Sequence, residues 1–212
     1  MLQISKQHPA SRLVFDGLTV RQVQHSDIPE VLRAIEESLP ELQRFLHFAH
    51  TPQTVETQIA RLRERPDFSL GAFQEARFLA SLGLMPRVPL NPNGVEIGYW
   101  VRTGEAGQGL ATLLTRVLII YCVEGLGMDR VQIAHDPDNV ASERVVQKCG
   151  FVLEGRQRNS VEAFSYEGLS KNRDSMTYSL LPDEARALPW FAQLAPRIRV
   201  YDLIGNDLGQ PW

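Results

Sequence analysis

Short blocks of alternating apolar and polar residues are interleaved along this chain with stretches of helical period. Leu18 to Gln24 alternates with period two and predicts a strand. Ser26-Asp27-Ile28-Pro29-Glu30 then opens a helix with a cap, early acids and a proline in the first turn. That helix is expected to run to about Ser38. After the apolar-aromatic stretch Leu42 to His50, a second helix is expected from near Thr54 to Arg65, where Pro66 stops it. Phe68 to Gln74 and Phe78 to Arg87 read as strands joined at Glu75-Ala76-Arg77, with Glu96 to Arg102 the next strand, beyond the loop Pro86 to Gly94. Gln108 to about Gly125 keeps Leu110, Leu113, Leu114, Val117, Leu118 and Tyr121 on one face and predicts a long helix. Arg130 to His135 is a strand, Ala141 to Cys149 a short helix stopped by Gly150, and Val152 to Arg158 and Ser175 to Leu181 the last strands. The pattern predicts an α/β fold, a mixed sheet of six or seven strands with helices on both faces in three layers.

At 212 residues and 43% hydrophobic, the chain is long enough for one core. Residues 1–184 are expected to form a single domain. Residues 185–212 carry Trp190, Phe191, Ile198, Val200, Tyr201, Leu203, Ile204 and Trp212, too apolar a set for a disordered tail. They are expected to pack on the domain or on a partner subunit. The net charge of -3 gives no basic footprint for nucleic acid. Cys122 and Cys149 lack C-x-x-C spacing and read as buried thiols of a reducing cytoplasm. There is no signal pattern and no apolar run of membrane length.

The most informative stretch is the turn Gly104-Glu105-Ala106-Gly107-Gln108-Gly109-Leu110-Ala111, between a strand and the start of the long helix. Such a helix start offers unpaired N–H donors and a partial positive charge, and phosphate is its natural guest. The sequence lacks G-x-x-x-x-G-K-[ST], and Thr112 stands where G-x-G-x-x-G needs its third glycine, so neither a P-loop nor a dinucleotide fold is expected. Taken alone, the turn also fits a tight connection with no ligand.

Five fragments occur in order: E-I-G-Y-W-V from Glu96, G-x-G-x-A-T from Gly107, D-P-D-N-x-x-S-x-x-V-x-x-x-x-G-F from Asp136, Leu153-Glu154-Gly155, and Arg173 to Leu180. This succession resembles the GNAT superfamily of acetyl-CoA-dependent N-acetyltransferases, and within it the RimJ and RimL branch of ribosomal-protein N-terminal acetyltransferases, over about Leu18 to Glu184. The resemblance implies a mostly antiparallel GNAT-type sheet, acetyl-CoA as cosubstrate, and direct attack of a primary amine on the thioester. It also implies that pantetheine lies beside the strand of Tyr99, Trp100 and Val101, where backbone N–H holds the oxyanion. Gly107, Gln108, Gly109, Leu110 and Ala111 would surround the pyrophosphate with help from the Thr112 hydroxyl. Ala106 departs from the family's usual Gln or Arg, which points to weaker cofactor binding.

The same resemblance marks Glu96 as the base, with Glu154 in reserve; a carboxylate that fixes a loop or binds a cationic substrate is the other reading of Glu96. Ser142 stands where many relatives place an acidic tyrosine. Its hydroxyl can relay a proton to the sulfur but is a poor reservoir. Asn139 would bond the pantetheine amide, and helix capping alone also accounts for Asn139 and Ser142. His135 is either a structural histidine or a proton shuttle beside the acceptor. Phe45, Phe48 and His50, with His47 close by, suggest a partly apolar acceptor site, and no metal is expected. The acceptor is read as a protein or peptide N-terminus. A small amine such as a polyamine, amino acid or aminoglycoside is the alternative, and a non-catalytic acetyl-CoA sensor is a third reading. A homodimer is plausible by analogy.

Overall fold

The computed structural model describes residues 12–64, 70–85, 91–161, 172–202 and 206–209. It opens with a hairpin absent from the pattern above: β1 (Arg12–Phe15) pairs antiparallel with β2 (Leu18–Gln22). The turn residues Asp16 and Gly17 both take positive φ, 48° and 77°, as a two-residue hairpin turn of this hand requires. Helix α1 (Ile28–Gln43) runs past the expected stop at Ser38 and contains Pro40. Proline removes one helical donor. Burial of Ala34, Ile35, Ser38 and Leu42 along one face carries the helix through it.

Helix α2 (Val55–Glu64) starts at Thr54, which exchanges hydrogen bonds with Thr57 across the first turn. Then come β3 (Leu70–Gln74), β4 (Arg77–Met85), β5 (Gly94–Val101), α3 (Leu110–Ile120) with a π-helical turn at Tyr121–Gly125, β6 (Arg130–His135) and α4 (Val140–Cys149). The chain continues with β7 (Val152–Val161), β8 (Arg173–Leu180), α5 (Pro182–Ala187), α6 (Pro189–Leu194), β9 (Arg199–Tyr201) and β10 (Asp207–Gly209). Arg65, Pro66, Phe68, Pro86, Arg87, Leu203, Ile204 and Trp212, which figure in the expectations above, lie outside the described residues.

The described strands form one sheet in the order β10-β9-β1-β2-β3-β4-β5-β6-β8-β7. Its ten strands exceed the six or seven expected, because β1, β9 and β10 extend the edge beside β2. All pairs are antiparallel except β5 with β6. Two cores lie on opposite faces. On one, α3 and α4 cover Leu82, Ile97 and Ile133, and Phe191, Leu194, Ile198 and Val200 of the C-terminal segment join them. On the other, Val31, Ala34, Ile35 and Leu42 of α1 cover Phe73, Phe78 and Trp100. The C-terminal segment is locked to α4 at Gly150, which ends that helix at φ +84°; a Cβ there would meet Leu188 Cδ1 at 2.7 Å.

Candidate active site

The cleft arises from a failure of pairing. The β5–β6 register runs Gly94↔Arg130, Val95↔Val131 and Glu96↔Gln132 and then stops, although β5 continues to Val101 and β6 to His135. Beyond Glu96 the two strands therefore diverge, and each leaves a row of backbone groups without the other as partner. The Arg102 N–H donates to Leu79 O at 2.8 Å, so strand alternation turns the Trp100 backbone toward β4 and the backbones of Tyr99 and Val101 into the gap. Of the two residues expected to face the cofactor here, Val101 has that orientation. The Trp100 ring belongs to the core under α1, 5.5 Å from Phe78 and 6.4 Å from Phe48.

At the far end of the gap lies the glycine turn. Gly107 and Gly109 hold φ of +78° and +84°, a conformation that side-chain-bearing residues adopt at a cost of about 1–2 kcal/mol. Gly109 is the N-cap of α3 and supplies no side-chain cap, so the N–H groups of Leu110, Ala111 and Thr112 have no helical acceptor and remain for an anion. Ala106, Gly107, Gln108 and Gly109 are exposed. The Ala106 N–H is already bonded to Thr103 O at 3.1 Å, and the Gln108 amide turns back to Gly104 O at 3.3 Å.

Ser142 sits in the first turn of α4, its N–H donating to Asn139 Oδ1 at 3.0 Å, so Asn139 is the helix cap. The Ser142 hydroxyl is 3.1 Å from the Tyr99 hydroxyl, and burial pushes that phenol up to about 12. Sequence reasoning used Tyr99 only for its backbone. Period two places its side chain opposite Glu96 and Trp100, on the face of α4, and that signal was available.

Glu96 is half-buried at the point of divergence, on the face covered by α1. Gln132 Nε2 donates to it at 3.0 Å, and Arg130 donates to Gln132 Oε1 at 3.1 Å. The chain of bonds ends on Glu154, which Arg130 contacts at 2.7 Å and the Ser179 hydroxyl at 2.7 Å. Arg130 and then Ser179 hold the Glu154 carboxyl below the usual range. The reserve base is thus committed to an ion pair. Gly98, between Glu96 and Trp100 on the same face, leaves the strand bare; an added Cβ would meet only Met85 Cε, at 3.2 Å.

His135 lies on the other face, 8% exposed and stacked on Tyr178 at 5.3 Å. Its Nδ1 bonds Asp136 O at 2.8 Å, and Nε2 lies 3.0 Å from Glu143 Oε2 without the alignment of a hydrogen bond. Tyr178 donates to the same carboxylate at 2.5 Å, which holds Glu143 low. The structure therefore does not bring His135 to Glu96. Phe48 reaches Trp100 and carries Arg61 on its ring at 5.1 Å, Phe45 is half-buried under Arg44, and His50 Nε2 is 2.8 Å from Gln43 O. His47 is exposed.

One cation joins the acceptor-side helix to the glycine turn. Arg102, 4% exposed, donates to Glu37 through two nitrogens at 2.5 Å and to Glu30 at 2.7 Å. Next to it, the Thr103 N–H donates to Ser38 Oγ at 3.0 Å and the Thr103 hydroxyl to Glu41 at 3.1 Å. The i, i+7 spacing of Glu30 and Glu37 on α1 could have shown a shared face, though not its partner.

A gap between diverging strands, an uncapped helix start at one end, a carboxylate on one face and a hydroxyl pair on the other define an acyl-CoA-dependent acyltransferase. Residues 17–152 match the Acetyltransferase (GNAT) domain family, and the chain belongs to that family, an acetyl-CoA-dependent N-acetyltransferase. It is 27% identical over 179 residues to "Putative ribosomal N-acetyltransferase YdaF" of Bacillus subtilis, covering 81% of this chain and 94% of that protein. It is 31% identical over 83 residues to the ribosomal-protein-serine acetyltransferase of Escherichia coli, 39% of this chain and 46% of that one. In fold it is similar to Mycobacterium smegmatis RimJ in complex with CoA-disulfide, at a TM-score of 0.70 and 18% identity, covering 89% and 95% of the two chains. No helix among the described residues is long and apolar enough to cross a membrane.

Proposed function

We propose that this acetyltransferase modifies the α-amino group of a protein or peptide N-terminus in the cytoplasm, with Glu96 as base and Ser142 as the donor to the leaving sulfur. The observation that carries this reading is the divergence of β5 and β6 directly after Glu96↔Gln132, which places the carboxylate at the apex of the gap. A neutral amine approaches from the α1 face over the bare Gly98, and Glu96 takes its proton directly or through water. Backbone N–H at Tyr99 or Val101 faces the oxyanion that forms on the thioester carbonyl, because those residues point into the gap. On the opposite face the Ser142 hydroxyl hands a proton to the sulfur as the C–S bond breaks.

The peptide reading draws support from the relatives' names. A separate cleft of about 550 Å3 lies between α1 and residues 49–53, with Glu36 among its lining, and includes no residue of β5 or β6. The test is thiol release from acetyl-CoA over peptides with different first residues, polyamines, amino acids and aminoglycosides. Turnover confined to peptides is the expected result; turnover confined to small amines would overturn the peptide assignment.

A further inference from the structure

A serine is a weak source of protons, since its hydroxyl holds the proton far more tightly than a phenol does. The structure supplies a second group. Tyr99 reaches across from the unpaired part of β5 and places its hydroxyl 3.1 Å from Ser142 Oγ. It is the hydrogen-bond partner of that hydroxyl among the described residues, because Asn139 engages the Ser142 N–H and not its side chain. Both residues stand where the strands diverge, on the face opposite Glu96. The phenol is partly buried, which raises its pKa, so it keeps its proton across the neutral range and enters each turnover protonated.

We propose that Tyr99 is the proton reservoir for the leaving group, acting through Ser142. As the C–S bond breaks, sulfur takes the electron pair, Ser142 Oγ–H gives its proton to sulfur, and the Tyr99 O–H gives its proton to Ser142 Oγ. The phenolate regains a proton from solvent once the products leave, while the proton of the amine has gone to Glu96. This split puts base and acid on opposite faces, so the Glu96 carboxylate does not take the proton of the Tyr99 phenol. Tyr99 is therefore a relay residue whose effect depends on Ser142, and the inference rests on the reading of Ser142 given above.

The experiment is steady-state release of CoA with a peptide that the wild type acetylates, for the wild type, Tyr99→Phe, Ser142→Ala and the double variant, with acetyl-CoA binding measured by calorimetry. Tyr99→Phe is expected to lower kcat by about 10- to 100-fold while the KM and Kd for acetyl-CoA stay within about threefold. The double variant is expected to be no slower than Ser142→Ala, because both substitutions cut one relay. A packing role would instead multiply the two losses or weaken acetyl-CoA binding, and either result overturns the relay. So does a Tyr99→Phe enzyme at wild-type kcat. A wild type silent toward every peptide and amine overturns the acetyl-transfer reading, and the relay with it, whereas an active wild type with an indifferent Tyr99→Phe sinks the relay alone.

Discussion

The two faces of the sheet around β5 are built by different means. The α3/α4 face holds its ligand groups in local stretches of chain: a glycine turn running into a helix start, and an Asn139 cap three residues before Ser142. The α1 face is assembled from distant segments, with Glu96 held by Gln132 and with Arg102 tying Glu30 and Glu37 of α1 to the segment that leads into the glycine turn. On the function proposed above, donor binding is a property of backbone geometry, while acceptor activation depends on side chains brought together over long separations. Arg102 joins the two, since it stands two residues before the turn and its charge is paired with the opposite helix.

The sharpest way to separate the faces is Glu96→Gln, which keeps the bond to Gln132 but removes the proposed base. Its kcat is expected to fall by about 10²- to 10⁴-fold, with acetyl-CoA binding unchanged by calorimetry. Next in size is Arg102→Met, which leaves Glu37 without the guanidinium it is bonded to and Glu30 with Arg33, 3.0 Å away on α1. It is expected to cost about 2–3 kcal/mol of stability in urea unfolding, less than a fully buried pair because Glu37 is half exposed. Some loss in affinity for both substrates should accompany it, breaking the independence of the two faces.

Gly109→Ala comes third. The left-handed φ of +84° penalises a Cβ by about 1–2 kcal/mol although space is open around it, so acetyl-CoA affinity is expected to fall about tenfold with kcat at saturation little changed. The smallest effect concerns pH. The hydrogen bonds from Arg102 hold Glu37 below its ordinary 4.5. A depressed folded value means a stabilising contribution present above pH 4.5 and lost as pH falls through the folded value. Thermal unfolding of Glu37→Gln is therefore expected to depend less on pH below about 4.5 than that of the wild type.

What could be read from the sequence follows the same division. The glycine turn, Asn139, Ser142 and the order of the central strands are legible because φ preferences, caps and periodicity are local. The hairpin at Asp16-Gly17 was equally local and its D-G signal was overlooked, whereas β9 and β10 could not be read, since three-residue strands show no period. Helix α1 passed Pro40 because tertiary burial outweighed a missing donor, which the sequence does not price. The partners of Glu154, Arg102 and His135 come from register and packing across many residues. Their side-chain chemistry was legible but their neighbours were not: Glu154 is paired with Arg130, and His135 lies beside Glu143 of α4.

The most direct test of a donor face and an acceptor face is to measure the Kd for acetyl-CoA and kcat on Glu96→Gln and Gly109→Ala side by side. Glu96→Gln should keep the Kd within about twofold and lose kcat by about 10²-fold or more, and Gly109→Ala should do the reverse. If Glu96→Gln weakened acetyl-CoA binding as much as Gly109→Ala and turned over bound donor at the wild-type rate, Glu96 would be part of the donor site and the division of faces would be wrong.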